Sequence, residues 1–99
     1  MKIDIQTIGF EADEKVMDLV NKRIQKLSDL ENDMTGIDVY LKTIRDDQDQ
    51  NKKVEMRAFL PGNDLFSEYQ TDTFDEAIQQ TYQKMKRQLV KRKEILQSR

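Results

Sequence analysis

The apolar residues of this chain change their period several times, and that succession leaves few architectures open. They alternate at Ile3 and Ile5, at Ile37, Val39 and Leu41, and at Val54, Met56, Ala58 and Leu60, which is the period of half-buried strands. Leu65, Ser67 and Tyr69 continue the alternation more weakly. Two other stretches have helical period: Val16, Leu19, Val20, Ile24, Leu27 and Leu30 in the first, and Phe74, Ala77, Ile78, Tyr82, Met85, Leu89 and Leu96 in the second. Asp13 is placed to cap the first helix, and Thr73 with Glu76 matches the reciprocal capping box at the start of the second. Pro61-Gly62-Asn63-Asp64 has the residues of a tight turn, which predicts a hairpin over about residues 53 to 71. The polar stretch from Arg45 to Lys53, with Asp46, Asp47 and Asp49, reads as a longer, mobile hairpin loop. The expected fold is α+β: a single β-α-β-β-β-α domain over residues 1–99, a four-stranded sheet with two helices packed on one face and solvent on the other.

The chain has no cysteine and no histidine, which removes disulfides, thiolate chemistry, zinc fingers and imidazole bases together. Charged residues are as frequent as hydrophobic ones, 36% each, so one modest core is affordable and a deep catalytic pocket is not. Gly9, Gly36 and Gly62 are isolated, so no glycine loop cradles a phosphate. Asp47-x-Asp49-x-Asn51 imitates the start of a calcium loop, but its sixth position is Lys52 instead of glycine and its twelfth is Ala58 instead of glutamate. Solvation and helix capping account for the adjacent carboxylates Asp46 with Asp47 and Asp75 with Glu76. The tyrosines and phenylalanines fall within strand and helix periods, where core packing is their ordinary use, although Phe59 and Phe66 sit at positions that reach the open sheet face. No enzyme, cofactor, metal or small-molecule substrate is expected. Neither a signal-like N-terminus nor a membrane-length apolar run is present, so the chain is read as cytoplasmic.

A formal net charge of −2 conceals a segregation. From Lys84 to Arg99 the cations Lys84, Lys86, Arg87, Lys91, Arg92, Lys93 and Arg99 face only Glu94, for a net +6, whereas Arg45 to Glu76 carries a net −5. On a helical wheel Lys84, Arg87 and Lys91 form a ladder opposite the apolar stripe. Lys86, Arg92 and Lys93 flank it, stems over apolar neighbours and charges in water. Lys15, Lys22 and Lys26 make an exposed row on the first helix, with Arg23 nearer its buried edge, and side-by-side helices would join the two rows in one surface. Like charges at these spacings destabilise a helix by a few tenths of a kcal/mol per pair, a cost that a polyanion would offset. The charge pattern alone leaves a second reading open, a solvated helix end whose cations favour its own dipole.

The element order, the stretch VNKRIQKL from Val20 to Leu27 and the run TFDEAIQQTYQKMKRQLVKRKEIL from Thr73 to Leu96 resemble the bacterial ribosome hibernation factors, the short hibernation-promoting factor and ribosome-associated inhibitor family. The most specific parts are Arg23-x-x-Lys26-Leu27 and Ala77-Ile78 followed by Lys84-x-x-Arg87-Gln88-Leu89-x-Lys91. The resemblance implies a protein that enters the small ribosomal subunit between head and body, lays basic helices on rRNA, and occludes mRNA and tRNA in the A and P sites. It carries over rRNA contacts to Arg23, Lys26, Lys84, Arg87 and Lys91, with Arg92 and Lys93 as additions and Lys22 and Lys86 as cations that relatives often lack. Asp75 departs from a tyrosine frequent in the family, and the acidic stretch Asp46 to Gln50 is a second departure. The long members' dimerisation domain and the inhibitor type's tail have no counterpart in these 99 residues, which fits the short hibernation-promoting type. Whether ribosome dimers form would then depend on a second factor. Two other readings stand beside it: a double-stranded-RNA module, disfavoured by the first strand Lys2 to Ile8, and a protein-interaction module whose basic helix docks on an acidic partner.

Overall fold

The computed structural model describes residues 1–44 and 51–98. Its elements follow in the expected order: β1 (Lys2–Ile8), α1 (Glu14–Leu30), β2 (Gly36–Thr43), β3 (Lys52–Phe59), β4 (Leu65–Thr71) and α2 (Phe74–Gln97). The strands form one sheet in the order β1-β2-β3-β4. β1 lies parallel to β2, from Lys2 opposite Gly36 to Ile8 opposite Lys42, and the other two pairings are antiparallel. The parallel pair needs a crossover, which α1 supplies. The acidic part of the loop expected between β2 and β3, with Asp46, Asp47 and Asp49, lies outside the described residues.

Local chemistry starts and stops these elements as the side chains dictate. Asp13 Oδ1 accepts from the Val16 amide at 2.9 Å, and Thr73 Oγ1 accepts from the Glu76 amide at 3.2 Å, satisfying N–H groups that the first helical turns leave open. The Glu76 carboxylate takes a hydrogen bond from Thr71 Oγ1 at 3.3 Å, tying the cap of α2 to the end of β4. Gly62, with φ of +97°, occupies the left-handed position in the turn between β3 and β4.

Strand alternation sends Ile37, Val39 and Leu41 of β2 and Val54, Met56 and Ala58 of β3 to the helix side, where they meet Val20, Ile24 and Leu27 of α1 and Ala77, Ile78, Met85 and Leu89 of α2. Phe10 stacks on Phe74, ring centroids 4.5 Å apart, and closes one end of this core. Thr81, a polar residue inside the apolar stripe of α2, is fully buried. Its hydroxyl donates toward the carbonyls of Ala77 at 2.7 Å and Val54 at 3.3 Å, and its own carbonyl accepts from Ser67 Oγ at 2.9 Å. The expected core position Leu96 is instead 47% exposed. The 24 residues of α2 span about 36 Å, whereas a strand of eight covers about 26 Å, so the last turns outrun the sheet.

The opposite sheet face meets solvent as expected. Lys42 reaches Glu55 at 2.9 Å, Lys53 reaches Glu55 at 3.6 Å and Glu68 at 3.4 Å, so cations and carboxylates there neutralise one another across three strands. Arg57 lies 5.3 Å from the Phe66 ring and 3.8 Å from Asp64 on the same face.

Candidate nucleic-acid interface

Three contacts fix how the two helices sit. The Arg23 guanidinium lies 4.9 Å from the centre of the Tyr82 ring, Arg92 Nη1 lies 3.3 Å from Glu31 Oε2, and Lys93 Nζ donates to the Leu30 carbonyl at 2.6 Å. Later residues of α1 thus meet later residues of α2, so the helices run side by side in the same direction. Their N-terminal ends share one pole with Asp13, Glu14, Asp18, Asp72, Asp75 and Glu76, and their basic C-terminal halves share the other. In a body 49 Å long the two poles stand well beyond a Debye length, about 8 Å at physiological salt, and act separately.

The nine cations singled out in the sequence fall into two kinds. Lys22, Lys26, Lys86, Arg87 and Lys91 are exposed, and among the described residues none has an ion pair or hydrogen bond. Arg23, Lys84, Arg92 and Lys93 are held by the protein. Arg23 is half-buried against Tyr82, and its Nε is buried with no hydrogen-bond partner. Lys84 donates to the Glu68 carbonyl at 3.0 Å and lies 5.1 Å from the Tyr69 ring.

Arg92 and Lys93 correct the expectation that their charges stay in water. Glu31 is only 4% exposed, accepts from the Asp33 amide through Oε1 at 3.1 Å, and offers its other oxygen to Arg92. Arg92 also donates to the Pro61 carbonyl at 3.4 Å, so it joins α2 to the end of α1 and to the β3–β4 turn. The last turn of α1 has no basic residue of its own, and Lys93 brings a cation from α2 to its carbonyls, where the helix dipole is negative. That missing cation was a signal in the sequence, and so was the place of Glu31, four and seven residues after Leu27 and Ile24 on the apolar stripe of α1; its partner in α2 was not.

The expected single surface is also divided. Lys84 and Gln88 donate to the Glu68 and Phe66 carbonyls of β4, at 3.0 and 2.6 Å, so the flank of α2 carrying Lys84 and Lys91 overlies the last strand of the sheet. Tyr82 and Lys93 mark the flank against α1. Lys86, one helical turn after Tyr82 and two turns before Lys93, lies on that same flank and therefore shares the interhelical surface with Arg23 and Lys26, while Arg87 stands on the crest between flanks. The helical period gave each residue's phase about its own axis and could not say which flank α1 would occupy.

No group of His, Cys, Asp and Glu among the described residues could hold a metal ion, and none of their helices is long and apolar enough to cross a membrane. Among the described residues the arrangement offers an array of exposed cations without ion pairs.

Over residues 3–97 the sequence matches the model of the family described as Sigma 54 modulation protein / S30EA ribosomal protein. No curated protein matches it. Among solved structures the fold is similar to a ribosomal subunit interface protein from Coxiella burnetii, with TM-score 0.83 and 18% identity over 94% of this chain and 98% of that one. It is also similar to the N-terminal domain of Protein Y from Thermus thermophilus, with TM-score 0.73 and 19% identity over 90% of this chain and 96% of that one.

Proposed function

Because the chain belongs to the Sigma 54 modulation protein / S30EA ribosomal protein family, we propose that it is a ribosome hibernation factor acting in the cytoplasm. In this reading it enters the small ribosomal subunit near the decoding region, lays the C-terminal halves of α1 and α2 on rRNA, and fills space that mRNA and the A- and P-site tRNAs need. Translation is silenced by occlusion, with no chemical step. The observation that carries the reading is the set of five exposed cations, Lys22, Lys26, Lys86, Arg87 and Lys91, at one pole, without partners among the described residues. With Arg23 they can meet about six phosphates, and the counterions so released make affinity fall roughly 10³-fold between about 50 and 200 mM salt. Arg92 and Lys93 contribute by holding the helices, and Lys84 joins the contact only by leaving the Glu68 carbonyl. The neutral, ion-paired sheet face is suited to pointing away from phosphate.

A second reading rests on the acidic pole: the basic pole of one copy could dock on the acidic pole of another. Sedimentation with purified ribosomes at low and moderate salt separates the two. Co-sedimentation with the small subunit that mRNA and tRNA compete away is the expected result. Failure to co-sediment at either salt, with salt-sensitive self-association in the absence of RNA, would overturn hibernation in favour of docking.

A further inference from the structure

Beyond the end of the sheet, the last turns of α2 leave Ile95 52% and Leu96 47% exposed. With Pro61 and Leu65 from the opposite wall they line an open groove of about 540 Å³, within the range of about 300 to 1,000 Å³ usual for ligand sites. Among the described residues no carboxylate lines it, and its charged members are Lys91 and Arg92. Arg92 is already engaged by Glu31, but Lys91 is exposed at the lip without a counterion among the described residues. Gln88, on the same wall, spends its amide N–H on the Phe66 carbonyl at 2.6 Å, which leaves its side-chain oxygen as an acceptor.

We propose that this groove seats an unpaired nucleobase of an RNA strand whose phosphates lie along Lys91 and Arg87. The inference rests on the reading of this pole as an RNA surface, and adds that the RNA is gripped there as a single strand. A base brings two flat apolar faces and a polar edge. The aliphatic walls cover the faces, the Gln88 oxygen can accept from an exocyclic amine, and the sugar-phosphate stays outside on cations one helical turn apart. Charge complementarity selects this occupant: a groove with a free cation at its lip and no acid in its wall suits a ligand that is apolar inside and anionic outside.

The test compares binding of single-stranded hexa-adenylate with that of an abasic oligomer of the same length and phosphate number. The base-bearing strand should bind about tenfold more tightly, the scale of burying one base face on aliphatic surface. Ile95→Ser with Leu96→Ser, both exposed and checked for folding by circular dichroism, should bring hexa-adenylate down to the abasic strand without changing the latter, whereas Lys91→Gln should weaken both alike. Equal affinity for the two strands, or no effect of the serine pair, would overturn the proposal. So would chemical-shift changes in the groove with an acidic Leu-rich peptide and none with hexa-adenylate. Oligonucleotides that fail to bind a protein still following ribosomes would reject the groove alone; loss of both would reject the RNA reading with it.

Discussion

Arg92, five turns into α2, reaches Glu31 at the end of α1, with Nη1 3.3 Å from Oε2, and so closes a contact between residues 61 apart in the chain. The carboxylate is nearly inaccessible to water and the guanidinium side chain is 15% exposed, so each charge depends on the other for its solvation.

Removing one member of that pair should therefore cost more than removing both. Glu31→Leu or Arg92→Met alone is expected to destabilise the fold by about 2 to 4 kcal/mol, and the double variant by less than either single change. Urea unfolding of the three variants measures the coupling; additive losses would mean that the two charges do not solvate one another.

The division of the cations into free and held predicts different salt behaviour. Arg87→Gln should lower the slope of log affinity against log salt for ribosome binding by about 0.7 to 0.9, one phosphate's worth of released counterions. Arg92→Gln should leave that slope as it is and weaken binding only through the loosened helices. Titrations at several salt concentrations distinguish them, and a reduced slope for Arg92→Gln would make it a direct phosphate contact.

Leucines on one face of one helix should differ sharply. Leu89 is fully buried and its truncation to alanine should cost about 2 to 5 kcal/mol, enough to unfold much of a domain of ordinary stability. Leu96→Ala, at a half-exposed position, should stay within about 0.5 kcal/mol. Thermal or urea midpoints of the two variants settle the contrast.

Lys84 and Gln88 also answer two carbonyls of β4, a strand with no neighbour beyond it among the described residues. Edge strands left bare recruit other strands. Lys84→Ala with Gln88→Ala should raise self-association over the parent chain, seen as a sedimentation coefficient that grows with concentration. Indistinguishable sedimentation of the two would show that these side chains do not guard the edge.

Local patterns carried much of this fold. Alternation at Ile37 to Leu41 and at Val54 to Ala58, the caps at Asp13 and Thr73, and the turn at Pro61 to Asp64 act over a few residues, so they are written in the sequence and reappear in the structure. Exposed cations such as Lys22, Lys26, Arg87 and Lys91 were legible for the same reason: a residue opposite an apolar stripe faces water whatever the stripe packs on.

What the tertiary structure decided was which flank of each helix meets which neighbour. Leu96 continues the apolar period but lies where no sheet remains beneath α2, and Lys84 continues the basic ladder but overlies the carbonyls of β4. Arg92 reads as a solvated charge in its own helix and becomes half of a buried pair with Glu31 only when the two helices run parallel. Periodicity fixes an angle about one axis. The partner at that angle depends on strand length, helix direction and register, which no single segment contains.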